Sequence, residues 1–592
     1  MFDGRIYRAA LAPLLLVVVI VGFSLTGAAA PLHSTLAPDA FDGGRAYATL
    51  RQLLSAYPDR KPGSAGDQGL AADVAGSLRG LAGAAGGGFR VSTHSFSART
   101  AEGQRTLTDV IAVRPGSSGE RPIAIIAHRD AVQRGSAAEL SGTAALLELA
   151  RVFAQSETKR TVVLVSTSGG SEGNAGAAYY AAHLRTAPDA AIVLGDLAGD
   201  RAHKPFVLSF SSGTATAPGT LQRTLQGTIS QEVGTDPGSV GLSAQVAQLA
   251  QPLALGEQAP LNDAAIPAVT VQVSGPRGPV TGTLVSESRL SNFGRAVLAA
   301  IYALDEGPDI AHAPSTRLEL GARALPEWAI RLLVLAALLA PLVVCVDAFA
   351  RLRRRRAPLA RGLLWGLCGA LPFLVAALFV AALGALGILS APSAELSVTG
   401  ISAVAGAPVA LVATLLVLGA MTLARPALLR RFGFASRPDP DATGLSAMLV
   451  LLAVALLAWL IDPFAGLLLV PAAHLGLLAA DSRPRALSLL ALGVALLPLA
   501  ALLFVVAREL GLAPIALAES VILALAGGQL GLFSALLWSL ALGSLFSLLA
   551  LVLADRGSER VEPLERLEIS TRGPLSYAGP GSLGGTESAL HH

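Results

Sequence analysis

Pro122-Ile-Ala-Ile-Ile-Ala-His128-Arg-Asp130 is followed by a helix-like segment from Ser141 to Ala154. Thr161-Val-Val-Leu-Val-Ser-Thr-Ser168 comes next, then Gly169-Gly-Ser171-Glu172-Gly173, a second helix-like segment over 175–184, and Ala191-Ile-Val-Leu-Gly-Asp196-Leu. Short apolar runs ending in polar residues alternate with amphipathic segments, the pattern of parallel strands joined by crossover helices. In such a sheet the working groups gather just past the carboxyl ends of the strands. His128, Asp130, Ser171, Glu172 and Asp196 all fall there, so an active site is expected at those ends.

Working outward, residues 43–82 read as helical on either side of Tyr57-Pro-Asp-Arg-Lys-Pro-Gly-Ser64, a loop by its Pro and Gly content. Strands are expected at Phe89–Phe96 and Leu107–Val113. Beyond the central region come a strand at Pro205–Phe210, a helix near 218–233, a Gln/Ala/Ser-rich stretch near 240–258, a strand at Pro267–Val273 and a helix from Leu290 to Leu304. This order describes one sizeable α/β domain, placed at residues 35–310, with a linker at 311–325.

The remainder of the chain is of a different kind. Of the 592 residues, 53% are hydrophobic and 14% charged, and the apolar ones concentrate towards the C-terminal side. A membrane span needs about 20 apolar residues. Spans are read near 326–349, 362–390, 402–424, 444–461, 463–480, 486–507 and 530–554, which makes 326–555 a bundle of seven, followed by a polar tail at 556–592. Segment 511–528 holds Pro514 and Glu519 and is expected to be interfacial or re-entrant. At the other end, Arg5 and Arg8 precede an apolar run from Ala9 to Ala30; residues 1–34 are a signal anchor or a cleaved signal peptide, the anchor being favoured.

Basic residues set the orientation. Arg351 with Arg353 to Arg356, then Arg425, Arg430, Arg431 and Arg437, then Arg483 with Arg485 mark three loops that alternating spans put on one side. Positive loops stay in the cytoplasm, so the α/β domain is expected outside and the tail inside. The net charge of +3 therefore reports topology, and a nucleic-acid partner is not expected. Cys345 and Cys368 both lie in apolar spans, leaving the α/β domain without a disulfide. Asp347, Asp462, His474 and Glu519 are the ionisable residues within or beside the spans, and they form no pair that marks an ion path.

Several segments together carry a resemblance. Tyr57–Ser64, Thr108-Asp-Val-Ile-Ala-Val-Arg-Pro-Gly116, the Ala-His128-Arg-Asp130 turn, Ser141–Ala150, Tyr179-Tyr180-Ala-Ala-His-Leu184 and Ile266-Pro-Ala-Val269 occur in order. Over roughly residues 40–305 the chain resembles the di-zinc aminopeptidases, metallopeptidase family twenty-eight, and its membrane region is similar to that of the endoplasmic-reticulum metallopeptidase branch. The resemblance implies an aminopeptidase-like (phosphorylase/hydrolase-type) fold, a mixed and mostly parallel sheet with helices on both faces, joined to a polytopic helical membrane domain. It also implies peptide hydrolysis by two zinc ions held by five side chains, with a carboxylate as general base.

Carried over residue by residue, His128 matches the first zinc ligand, Asp130 its orienting carboxylate and Asp196 the fourth ligand. Ala138 stands where a bridging Asp belongs, Gly170 and Ser171 stand at the Glu-Glu pair, and no histidine lies between Gly275 and Ser288. Two of five ligands remain and the general base is missing. Glu139 and Glu172, each one position beyond a lost carboxylate, are the possible substitutes, with His312 of the linker as a distant third.

Gly169-Gly-Ser171-Glu172-Gly173 also fits Gly-x-Ser-x-Gly between a strand and a helix, the context of a nucleophilic serine. No histidine follows Asp196 convincingly within the domain, so a tight strand–helix turn is the favoured reading of that stretch. The reading that results is a membrane protein whose ectodomain has lost catalysis and binds or scaffolds a peptide or protein partner without a cofactor. The alternative is a zinc aminopeptidase with a rearranged metal site, and a third reading makes the membrane bundle a permease or assembly factor.

Overall fold

Strand ends decide where chemistry can happen in this protein, so the sheet comes first. The computed structural model describes residues 2–81, 88–251, 256–310, 313–391, 404, 406–431, 439–481 and 484–554. His312, Arg437, Arg483 and the tail from Asp555 lie outside the described residues. The chain opens with α1 (Gly4–Ala10), α2 (Ala12–Phe23) and β1 (Thr26–Gly27), then α3 (Gly43–Ala56) and α4 (Ala65–Arg79). The hairpin β2 (Arg90–Thr100) and β3 (Gly103–Arg114) leads into β4 (Ile123–His128), α5 (Ala137–Gln155), β5 (Val162–Thr167), α6 (Ala175–Ala182) and β6 (Ala190–Leu194). β7 (Val207–Leu208), α7 (Gly219–Val233), α8 (Leu242–Ala250), α9 (Gln258–Asp263), β8 (Ala268–Val271) and α10 (Glu287–Glu306) complete this part, and β9 (Arg317–Leu320) and β10 (Arg323–Pro326) follow.

Seven strands pair in the order β2-β3-β5-β4-β6-β8-β7. β5, β4, β6 and β8 run parallel, while β2, β3 and β7 are antiparallel to their neighbours. Alternate residues of each central strand face opposite sides. Ile123, Ile125, Leu164, Ile192 and Leu194 pack with α3, α4, α5, α7 and α10 in one buried cluster. Ala124, Ile126, Val163, Val165 and Val193 pack with Tyr180 of α6 and Leu261 of α9 in another. Both faces are covered, which is why these strands read as continuous apolar runs. Tyr180 packs α6 onto the sheet, and Tyr179 stacks between Phe96 and His183 at ring distances of 4.3 and 4.0 Å.

Four places differ from the sequence reading: the expected linker at 311–325 carries β9 and most of β10, the strand expected at Pro205–Phe210 is only Val207–Leu208, and α5 and the β2–β3 hairpin have other bounds. α5 starts at Ala137 rather than Ser141, which puts Ala138 and Glu139 in its first turn. The β2–β3 hairpin runs past Phe96 and starts again before Leu107, because backbone pairing continues from Ser97↔Thr106 to Thr100↔Gly103 after the apolar alternation has stopped.

Among the described residues, eight helices are long and apolar enough to cross a membrane: Gly4–Phe23, Glu327–Arg354, Leu359–Ala385, Ala407–Arg431, Pro440–Ile461, Pro463–Ala480, Arg485–Leu510 and Leu532–Ala554. Pro514–Ala526, within the doubtful 511–528 segment, is a helix of only 13 residues, or about 20 Å at 1.5 Å per residue. Asp347 pairs with Arg351 at 2.6 Å, Asp462 accepts from the Phe464 backbone at 2.8 Å, and His474 Nδ1 meets the Tyr7 hydroxyl at 2.6 Å. Thr26 and Gly27 of β1 pair with Ala324 and Arg323 of β10, so the exit of the first apolar helix is stitched to the segment leading into Glu327–Arg354.

The α/β part sits on these helices by its strand-end side. Arg99 donates to the Gly384 carbonyl at 2.7 Å, and Ala101 packs against a cluster that includes Val380 and Leu389. The hairpin tip, α8 and the 275–277 turn all point the carboxyl ends of the parallel strands at the helical bundle.

Candidate functional site

Four segments converge past the strand ends. His128 closes β4, the Gly169–Ser171 turn follows β5, Asp196 follows β6, and the first turn of α5 supplies Glu139. With Glu257, Gln272 and Arg277 they line a cavity of about 60 Å³. Glu257, one residue ahead of α9, is the residue that the sequence reading missed.

Asp130 does not orient His128. Its Oδ1 accepts from the backbone of Gly169 at 2.8 Å and Gly170 at 3.1 Å, and its Oδ2 accepts from the Ser171 backbone at 2.9 Å and from the Ser171 hydroxyl. Four donors close the turn around one carboxylate, a nest that holds an anion without help from a cation. The Ser171 hydroxyl donates to Asp130 within the tight turn between β5 and α6.

The imidazole partner is Glu257. His128 Nδ1 lies 3.7 Å from Glu257 Oε2, with 14% of the histidine side chain and 1% of the glutamate side chain exposed. Glu257 Oε1 is held by the Thr167 hydroxyl at the end of β5. Burial pushes the His128 pKa down, but Glu257 outweighs it and carries the group up to about 9. The pair with Glu257 therefore favours the protonated imidazole. The ring also fills the space beside Gly170: a Cβ at residue 170 would collide with His128 Cβ and Cγ and reach its Nδ1 at 3.0 Å. The space beside Gly170 is thus occupied by the histidine, and Gly170 is what lets it sit there.

The substitutes part company. Glu139 faces the cavity, and burial raises its pKa to about 7. Glu172 turns away and accepts from the Ala101 backbone at 2.6 Å, tying the turn to the hairpin tip, so it is not available as a replacement ligand or base. Asp196 accepts from Ala198 and Gly199 at 3.0 and 2.7 Å through Oδ1, closing its own turn, while burial brings its pKa to about 6. Glu139 Oε2, Asp196 Oδ2 and Glu257 Oε2 are buried without a hydrogen-bond partner. Three carboxylates, of which Glu257 is paired with His128 by charge at 3.7 Å and not by a hydrogen bond, thus share one small cavity with His128 and Arg277.

Beneath it lies a layer of buried charge. Arg129 pairs with Asp67 at 2.9 Å, neither being exposed, and donates to the carbonyls of Asp67, Ser166 and Thr108. Arg60, also fully buried, donates from Nε to the Arg129 carbonyl at 3.0 Å. Asp67 in turn accepts from the Ser168 hydroxyl at 2.5 Å, and Asp109 accepts from the Ser168 backbone at 3.2 Å. Arg60 and Arg129 carry no periodic signal, and only the fold shows that both lie beneath the site.

The donor set does not fit two zinc ions. Among the described residues no three His, Cys, Asp or Glu side chains stand together as a metal ion requires. His128 directs Nδ1 at Glu257, Asp196 Oδ1 is committed to backbone amides, and Ala138 offers no oxygen. A catalytic zinc takes about three protein ligands at 2.0–2.3 Å with a position left for water, and this arrangement supplies no such triad.

Residues 109–245 match Peptidase family M28. No curated protein matches the chain. Among solved structures, the chain is similar to BSAP, a zinc aminopeptidase from Bacillus subtilis, at 15% identity over 44% of this chain and 95% of that one, with a TM-score of 0.35. It is also similar to an Acidobacteriales bacterium glutaminyl cyclase at 18% identity, over 47% and 99%, with a TM-score of 0.35. LapB from Legionella pneumophila gives 17% identity over 48% and 79%, with a TM-score of 0.38.

Proposed function

We propose that this is an integral membrane protein whose α/β domain, residues 35–310, lies outside the cytoplasm and uses its strand-end cavity to hold a cationic group, such as the amino terminus of a peptide or protein, without di-zinc hydrolysis. One observation carries the reading: the His128 ring, paired with Glu257, fills the space beside Gly170 where the family pattern has a carboxylate. The unfilled oxygens of Glu139, Asp196 and Glu257 then favour a ligand that donates hydrogen bonds and bears positive charge. The three arginine-bearing loops support the orientation. The pairing of β1 with β10 and the Tyr7–His474 contact support an N-terminal helix that stays in place as an anchor.

Those same three oxygens favour a second reading, in which Glu139, Asp196, Glu257 and His128 rearrange around zinc and restore an aminopeptidase. Zinc content separates the two. The full chain, purified in detergent, is loaded with zinc, desalted and assayed for metal and for release of amino acids from aminoacyl anilides. The expected result is well under one zinc per chain and no release. Stoichiometric zinc with turnover that is lost in His128→Ala and Asp196→Ala overturns the non-catalytic reading.

A further inference from the structure

A second and larger cavity, of about 330 Å³, lies among the helices Leu371–Ala385, Ala407–Arg431, Leu497–Leu510, Pro514–Ala526 and Leu532–Ala554. Its walls are chiefly apolar, with Leu502, Val506, Leu523 and Trp538 among them, and Gln251 of the α/β part reaches its edge. An apolar protein cavity of roughly 150 Å³ already takes a benzene ring, so this one has room for a longer hydrocarbon.

The cavity is not isolated. A pocket of about 60 Å³ lies between the helices and the α/β part, lined by Leu208, Phe210, Ala244 and Pro276 from above. It shares Val506 and Leu510 with the large cavity below and Pro276 with the strand-end cavity above. Gln258 lines this middle pocket, while the preceding residue, Glu257, lines the strand-end cavity. The bundle cavity, the middle pocket and the strand-end cavity therefore lie in a row as neighbours with shared wall residues, the last holding Glu139, Asp196 and Glu257.

We propose that this row of cavities binds a single amphiphile, a long-chain primary amine or amine-headed lipid, with its hydrocarbon chain among the helices and its ammonium at the strand ends. The assignment of the head rests on the cation-binding reading above; the assignment of the chain rests on the cavity alone. An ammonium brings donors to Glu139 Oε2 and Asp196 Oδ2, which accept no hydrogen bond, and to Glu257 Oε2, whose nearest cation is His128 at 3.7 Å. Glu139, Asp196 and Glu257 outnumber His128 and Arg277 around it, so a positive head is favoured over a phosphate or a free carboxylate. Burying the chain removes apolar surface from water beside α8, whose Ala244 and Ala247 line the middle pocket, and so ties the ligand to the place where the two parts meet.

The test presents two photoreactive probes to the full chain in phosphatidylcholine nanodiscs: a diazirine-bearing hexadecylamine and the alcohol of the same chain. Cross-linked residues are mapped by mass spectrometry. The amine is expected to label residues of the large cavity about tenfold more than the alcohol, the step given by one charge-assisted hydrogen bond, and unlabelled tetradecylamine competes. Ala376→Trp and Ala524→Trp, which fill the cavity, are expected to abolish labelling, and Glu257→Gln to bring the amine down to the level of the alcohol. Competition by tetradecylamine in the unaltered chain decides the matter if the tryptophan variants fail to fold. Labelling scattered over the bundle and indifferent to competition or cavity filling overturns the whole proposal. Labelling confined to the cavity but equal for the two probes overturns the amine head and, with it, the cation reading.

Discussion

The strand ends and the helical bundle solve the problem of close packing in opposite ways. Around the strand ends the chain buries full charges: Arg60, Asp67, Asp109, Arg129 and Asp130 are nine-tenths or more buried and bound to one another or to backbone groups. In the bundle the close contacts are made by the absence of side chains. A Cβ on Gly384 would run into the Ala526 backbone, and one on Gly543 into Ala370. Small residues let apolar helices approach where burial from water offers no extra drive between them. The comparison teaches that the α/β part depends on specific polar partners, so losing one should be felt more than losing one close helix contact.

Removing an arginine from the charged layer is the harshest test of that difference. Arg129→Met leaves Asp67 buried without its cation and three carbonyls without their donor. The expected loss is about 3–5 kcal/mol, seen as a large fall in the thermal midpoint or a failure to accumulate folded protein. A midpoint within a degree or two of the parent would mean the charged layer contributes no more than ordinary surface polarity.

The next effect depends on pH. His128 binds its proton more tightly in the folded protein, so its pair with Glu257 contributes fully below the ordinary value of 6.5 and fades as pH rises through about 9. Glu257→Gln should therefore destabilise by roughly 3 kcal/mol near pH 6, and by progressively less towards pH 10. Thermal midpoints of both proteins across that range check it; parallel curves would break the assignment of Glu257 as the partner of His128.

The smallest effect is expected in the bundle. Gly384→Val pushes the Leu371–Ala385 helix off Pro514–Ala526 and disturbs the carbonyl that Arg99 holds, at a cost of about 1–3 kcal/mol. Gel filtration and thermal melts in detergent should show a folded, modestly weakened protein. A loss as large as that of Arg129→Met would erase the contrast between the two regions.

Much of the architecture was legible before the structure. Apolar runs at 123–128, 162–167 and 190–194 became the central parallel strands because both their faces are covered. The eight long apolar helices among the described residues lie where the sequence has its N-terminal apolar run and its seven later ones, because an uninterrupted apolar run is itself local. The site was legible only in part. His128, Glu139 and Asp196 reach the predicted cavity, but Glu172 is drawn away by the hairpin tip, whose polar residues gave no sign of reaching so far.

The sequence by itself determined the alternation of strands and helices, the strand-end address of His128, Asp130, Ser171 and Asp196, and the division between an α/β part and an apolar helical part. Periodicity and hydrophobicity are local properties, and local spacing is enough to write them. Only the tertiary structure decided that Asp130 belongs to the Gly169–Ser171 turn, that Glu257 faces His128 across 129 positions of chain, and that a pocket between the α/β part and the helices shares Pro276 with the strand-end cavity. Those facts depend on which turns and helices meet in space. A carboxylate at the end of a Gln- and Ala-rich stretch carries no periodic signal of the imidazole it will meet, because that contact forms only once β4, β5 and α9 have packed together.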